Sequence, residues 1–229
     1  MTSIDWFGFE KKDLDFPFYR KNPHVSKLGW IALFFVFIFG YLATGLTSVP
    51  AGIIACVILI VPVLYFLKWD YSAIFQKPTL RDVGLAIALF VGYMIYAVVL
   101  SMILEQVGLV GAENIEQSSV SLMLIPHFVF SLMGEEFLKF IPFVFFMRLI
   151  FKFSNKRKPA VIISMILVMF MFAGMHAYDI PTLLFAIFMQ GFGSIFEFYG
   201  YIKTKNILIP YITHLCTDVF ILFIVMMGF

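Results

Sequence analysis

Charge is scarce in this chain. Of 229 residues only 13% are Asp, Glu, Lys or Arg, about half the share in ordinary soluble domains. Sixteen basic residues against fourteen acidic leave a formal +2, too little for a nucleic-acid-binding face. Cysteine is nearly absent: Cys56 and Cys216 both fall inside apolar runs. That excludes a disulfide scaffold and a zinc-type cysteine pair, and reads as two buried thiols. HExxH is missing, so the usual zincin helix is missing too. There is no internal repeat, and no low-complexity stretch beyond a wealth of phenylalanine. The first apolar run begins only after Lys27, behind a long segment carrying Asp5, Glu10, Asp13 and Asp15. A secretory signal wants a short basic start and a small-residue cleavage site, so this run reads as a retained span.

What remains is hydrophobic: 62% of the residues, with a mean hydropathy of +0.99, gathered in long runs. A helix needs roughly 20 apolar residues to cross a bilayer. The runs predict spans near 28–46, 51–67, 82–104, 121–150, 160–178, 181–202 and 206–228. The fold expected is an all-α, polytopic integral membrane bundle of seven to eight transmembrane helices. Pro142 is a candidate kink in the long fourth span. A tight turn around Asp179–Pro181 joins the fifth and sixth, and 71–81 reads as a linker or interfacial turn. Residues 1–27 form a cytoplasmic or interfacial arm, whose Trp6, Phe7, Phe9, Phe16, Phe18 and Tyr19 suit a membrane interface. Residues 28–119 supply the N-terminal transmembrane helices.

Loop charges set the orientation. Lys68, Lys77 and Arg81 follow span two; Lys152, Lys156, Arg157 and Lys158 follow span four; Lys203 and Lys205 precede span seven. The intervening loops hold no Lys or Arg, and 105–119 carries Glu105, Glu113 and Glu116. Under the positive-inside rule, seven spans place the N-terminus in the cytoplasm and the C-terminus outside, in a multi-pass protein of the cell membrane.

Against this background, ionisable residues inside spans stand out. A charge at mid-helix costs roughly 2.5–3.5 kcal/mol on insertion scales, and those retained face a bundle interior or a wet cavity. Such groups are Glu135, Glu136 and Lys139 in "SLMGEEFLKFIPF", His176 in "FAGMHAYD", and His214 with Asp218 in "ITHLCTD". Glu197 in "SIFEFYG" lines the same cavity, pairs with a lysine or snorkels; His127, toward the outer end of span four, reads as structural. At about 100° per residue, Lys139 lies about 40° from Glu135 and about 60° from Glu136 on the other side, so its ammonium can bridge both. Asp218 shares a face with His214 and can orient the imidazole. Gly134 and Gly174, preceding the motifs, would let helices approach closely.

The chemistry this suggests is hydrolytic. Two neighbouring carboxylates in a low dielectric resist ionising together, which leaves one as a base. With histidines from two other helices it can bind and activate a water. Glu135, His176 and His214 would also suit Zn²⁺, although a metal-free site is the favoured reading. The same buried acids, lysine and histidines could instead relay protons in a small proton-coupled transporter, but carriers often show repeated halves, and here the polar groups crowd one half.

At these residues the chain resembles the CPBP family of intramembrane endopeptidases, named for CAAX prenyl proteases and bacteriocin-processing enzymes (the Abi family). That family has a Glu-Glu motif, a Phe-x-x-x-His motif and a His-x-x-x-Asn/Asp motif on separate spans. They stand here as Glu135–Glu136, Phe172–His176 and His214–Asp218, in the same order, and "GYIKTKNILIPYITHLCTD" resembles the family's approach to its last motif. The likeness covers about residues 120–229, which would be the catalytic region. It implies Glu135 as the water-activating base, Glu136 in support, and His176 and His214 holding the water or polarising the scissile carbonyl. An Asn at the last position would stabilise the oxyanion; an ionised Asp218 cannot donate a hydrogen bond, so it orients His214 or is protonated. The family usually carries an Arg where this chain has Phe140; the nearest cation is Lys139. The implied substrate is a membrane-associated, lipidated or hydrophobic peptide or protein: a bacteriocin, a signalling peptide or a CAAX-like chain. An inactive member serving as an immunity or scaffold protein is the remaining alternative.

Overall fold

The computed structural model describes residues 18, 23–44, 48–109, 122 and 124–228. Apart from Phe18 and residues 23–27, the N-terminal arm lies outside the described residues, as do Glu113 and Glu116. Eight α-helices follow one another among those described: α1 (Lys27–Thr44), α2 (Val49–Phe66), α3 (Leu80–Gln106), α4 (Leu124–Ser154), α5 (Arg157–Gly174), α6 (Ile180–Ala186), α7 (Ile195–Thr204) and α8 (Leu208–Met226). No strand occurs among the described residues. Five stretches are long and apolar enough to cross a membrane: α2, α3, α5, the run Ile180–Thr204, and α8. The helix α1 is apolar but shorter. The longest, α4, has 31 residues and carries the ionisable cluster, which lowers its hydropathy.

The helices pack as two groups around α4. On one side α2 lies against α4, with α1 against both; on the other, α8 packs on α3, α4 and α7. Phe137, Phe143 and Met147 of α4 are fully buried, with Leu59 of α2, Val161 of α5 and Ile202 of α7 in the same core. Gly134 is where α2 and α4 meet closely: a Cβ there would touch Leu59 at 3.3 Å. Gly174 plays no such part, since a Cβ on it would meet nothing within 4 Å; it ends α5 instead. Buried His127 is structural as expected, its Nδ1 3.0 Å from the Ser48 carbonyl oxygen. Cys56 and Cys216 are free.

The helix α4 runs through Pro142 without ending. Two local features depart from the hydropathy reading. The fifth span stops at Gly174 rather than near 178, so His176 sits in the turn beyond it. The sixth changes pitch midway: a π-helical turn, Ile187–Gly191, and a 3₁₀ turn, Phe192–Ser194, separate α6 from α7. Gly191 explains the break, because a Cβ there would lie 2.9 Å from the Met169 carbonyl oxygen of α5. Asp179 caps α6; the Thr182 hydroxyl and N–H, at 2.7 and 2.9 Å, hold its carboxyl below the usual range. That contribution is present at neutral pH and lost as pH falls through the lowered value.

The segment after α2 is more than a linker. A 3₁₀ turn at Tyr71–Ala73 leads into residues that cover the α7–α8 turn. There Asn206, fully buried, accepts from the Gln76 N–H at 3.2 Å and donates to the Gln76 carbonyl at 2.7 Å, while Ile207 N–H donates to Ile74 at 3.0 Å. Asn206 also accepts from Leu208 N–H at 3.2 Å, at the start of α8. Asn206→Ala would remove these three side-chain hydrogen bonds, each worth about 0.5–1.5 kcal/mol. We expect a clear fall in the apparent melting temperature of the detergent-solubilised protein; an unchanged melt would mean that this turn does not anchor α8.

Candidate active site

Helical spacing brings the α4 acids to the bundle's centre, and neighbouring helices decide their partners. Glu136 and Lys139 are 4% and 3% exposed. Their Oε1 and Nζ atoms are 2.6 Å apart. The same ammonium donates to Glu197 of α7. His214 of α8 completes the cluster: its Nδ1 is 2.8 Å from Glu136 Oε1 and 3.7 Å from Glu197 Oε1. One buried cation thus joins the buried Glu136 carboxylate to the half-buried Glu197 carboxylate, and an imidazole leans on both. Phe140, Phe143 and Tyr201 close over one side of the cluster, leaving a cavity of about 20 Å³, room for one water.

Lys139 therefore does not bridge Glu135 and Glu136. Glu135, half-buried, makes no ion pair or hydrogen bond with the described residues. Glu197, across the interface, draws the ammonium to the Glu136 side. Nor does Asp218 orient His214. Its Oδ1 is 3.8 Å from Nε2, beyond hydrogen-bond reach. Glu136 does the orienting, because a carboxylate accepts and so fixes a proton on Nδ1. The other imidazole edge then faces Asp218.

His176 stands apart from this cluster. It is exposed, past the end of α5. Its Nδ1 donates to the Phe172 carbonyl oxygen at 2.9 Å. This assigns the proton to Nδ1 and leaves Nε2 a lone pair in the neutral ring. Phe172 links the two groups: His176 packs edge-on against it at 4.7 Å between centroids, and Lys139 lies 4.7 Å from the same centroid.

Tyr93 of α3 is a neighbour that the sequence reading missed. Its ring packs on Gly193, where a Cβ would come within 2.6 Å, and edge-on against Phe196 at 6.0 Å between centroids, beside Glu197. Nothing in α3 marks it, because a tyrosine in an apolar run reads as packing.

The donor set can be tested for a metal. Glu136, Glu197 and His214 bring ligand atoms within 4.8 Å of one another, whereas Glu135, His176 and His214 form no such group among the described residues. However, the Lys139 ammonium already sits on both carboxylates, and His214 Nδ1 donates rather than offering a lone pair. A divalent ion at ligand distances of about 2 Å would lie against that ammonium, in a medium where like charges repel strongly. The described residues do not fit a resident metal there.

The family model of type II CAAX prenyl endopeptidase Rce1-like proteins matches residues 117–220. No curated protein and no solved structure matches the chain. The matched stretch contains all three motifs, together with Lys139 and Glu197. With five apolar helices of spanning length, this is a multi-pass membrane protein whose residues 117–220 are similar to the Rce1-like family, consistent with the CPBP resemblance.

Proposed function

We propose that this protein is an intramembrane endopeptidase that hydrolyses a peptide bond in a substrate held at the membrane by a lipid or a hydrophobic segment. One observation carries the assignment of the base: Glu135 is the acid of the Glu-Glu pair with no partner among the described residues, while Glu136 is engaged by Lys139 and His214. Glu135 removes a proton from water as the oxygen bonds to the scissile carbonyl carbon. It then returns that proton to the leaving amine as the carbon–nitrogen bond breaks. His176 and His214 hold the water or polarise the carbonyl. Glu136 fixes the His214 tautomer, and Lys139 holds Glu136 and Glu197 in place. Asp218 closes the far side of the site.

The proposed membrane topology has seven crossings: α1, α2, α3, α4, α5, the α6–α7 run and α8, with the N-terminus in the cytoplasm of a cell-membrane protein. Residues 28–119 support a catalytic half over 120–229. The likeness to the Rce1-like family and a site inside the bundle support the lipidated or hydrophobic peptide class.

The test is cleavage by purified protein in lipid nanodiscs, using peptides with a C-terminal prenyl group, an N-terminal acyl group or no lipid. We expect lipidated or strongly hydrophobic peptides to be cut and short polar ones spared. His214→Ala should lower the rate by roughly 10²-fold or more. A folded protein that cuts no member of the set would overturn the endopeptidase reading in favour of a carrier or an inactive scaffold.

A further inference from the structure

A cavity of about 1050 Å³ lies in a groove between α1 and α4. Its walls are apolar and aromatic, with Trp30, Phe34 and Phe37 from α1 and Phe145, Phe146 and Leu149 from α4. Around α4, Phe145 and Leu149 lie about 180° and about 140° from Glu136, while Pro142 and Leu149 lie about 20° and about 40° from Glu135, so the groove faces away from Glu136 but shares a side of α4 with Glu135. Its size is at the top of the range of about 300–1,000 Å³ for ligand pockets.

The charge is all at one end. Lys27 begins α1, and Lys152 and Asn155 close α4; Arg148 stands one turn deeper. Among the described residues lining the groove there is no Asp or Glu. Arg148 donates to the Phe18 carbonyl and lies 6.0 Å from the Trp30 ring, which ties the rim together. Lys27 and Lys152 are exposed, and Asn155 offers an amide. From Lys27 to Phe37 the α1 wall descends about 15 Å, the depth of one acyl chain. The rim sits on the side that the basic loops assign to the cytoplasm.

We propose that this groove binds one anionic glycerophospholipid of the inner leaflet, with an acyl chain along the aromatic wall and the phosphate between Lys27 and Lys152. An apolar slot with cations confined to its mouth matches a molecule that is apolar along its length and negative at its head. Arg148 holds the wall on which the chain lies.

Native mass spectrometry of the detergent-solubilised full chain reads the result directly. It would be titrated with palmitoyl-oleoyl phosphatidylglycerol and, separately, with the phosphatidylcholine of the same chains. We expect one phosphatidylglycerol per chain, bound at least tenfold more tightly than phosphatidylcholine. Each cation near a membrane surface contributes a factor of about five in binding an anionic lipid. Lys27→Gln with Lys152→Gln should therefore weaken phosphatidylglycerol about 30-fold and leave phosphatidylcholine unchanged, with an unaltered melting temperature. Ile31→Trp, which narrows the slot, should reduce both lipids. Millimolar glycerol phosphate should fail to displace the lipid, since the head alone lacks the chain's contacts. Equal binding of the two lipids, phosphatidylglycerol binding unmoved by the double variant, or binding seen only after deletion of residues 1–17 would each overturn the assignment.

Discussion

Glu135→Gln should lower the rate of peptide cleavage by about 10²–10⁴-fold, the range for loss of a positioned general base, while leaving the fold intact. The amide keeps the size and shape of the carboxylate and removes only its ability to take a proton. Glu135 has no ion-pair or hydrogen-bond partner among the described residues, so nothing else is broken by the change. kcat and kcat/KM should fall together, as they do when an interaction made only in the transition state is lost. Glu136→Gln gives a contrasting pattern. It too should abolish cleavage, but it also weakens the contacts to Lys139 and His214 and should lower the melting temperature. Single-turnover cleavage of a lipidated peptide, with melting followed in parallel, separates the two. Cleavage by Glu135→Gln within about tenfold of the parent enzyme would remove Glu135 from the role of base.

The elements that could be read from the sequence are those fixed by local chemistry. Runs of apolar residues predict helices because the backbone must satisfy its own hydrogen bonds in lipid, and helices lie within a few residues of the predicted runs over most of the described chain, five of these stretches being long and apolar enough to cross a membrane. The break at Ile187–Ser194 could not be read that way, since it answers to the Met169 carbonyl pressing on Gly191 from another helix. The same limit applies to the site. Spacing alone marks Glu135, Glu136, Lys139 and His214 as inward-facing groups. It cannot say which carboxylate takes the lysine, because the deciding atom belongs to Glu197, 58 residues away along the chain. Asp218 looks like the partner of His214 on a helical wheel, yet Glu136 approaches from α4 a full ångström closer. Tyr93 and the groove between α1 and α4 depend wholly on how helices pack, and one-dimensional periodicity is silent about both.

Lys139→Met should be the most destabilising change in the molecule's centre. Lys139 is 3% exposed and ion-paired to Glu136 and Glu197 at once. Its removal leaves the buried Glu136 and the half-buried Glu197 carboxylates without this cation. Breaking a buried pair in this way costs roughly 3–5 kcal/mol, a large part of the 5–15 kcal/mol that holds an ordinary domain together. Adding Glu197→Gln removes one of the stranded charges, so the double variant should recover part of the loss, with a coupling of about 1–3 kcal/mol. Lys139→Arg keeps the charge but must fit a wider fork beside Phe172, and should fall between the two. The same change also tests why the cluster rejects a metal. With the ammonium gone, Glu136, Glu197 and His214 present ligand atoms within 4.8 Å of one another and no competing cation between them. Zn²⁺ should then raise the melting temperature of Lys139→Met, by the equivalent of about 2.7 kcal/mol at a hundredfold excess over its dissociation constant, and leave the parent protein unmoved. Equal stabilisation of both would show that the lysine does not occupy the place of a metal.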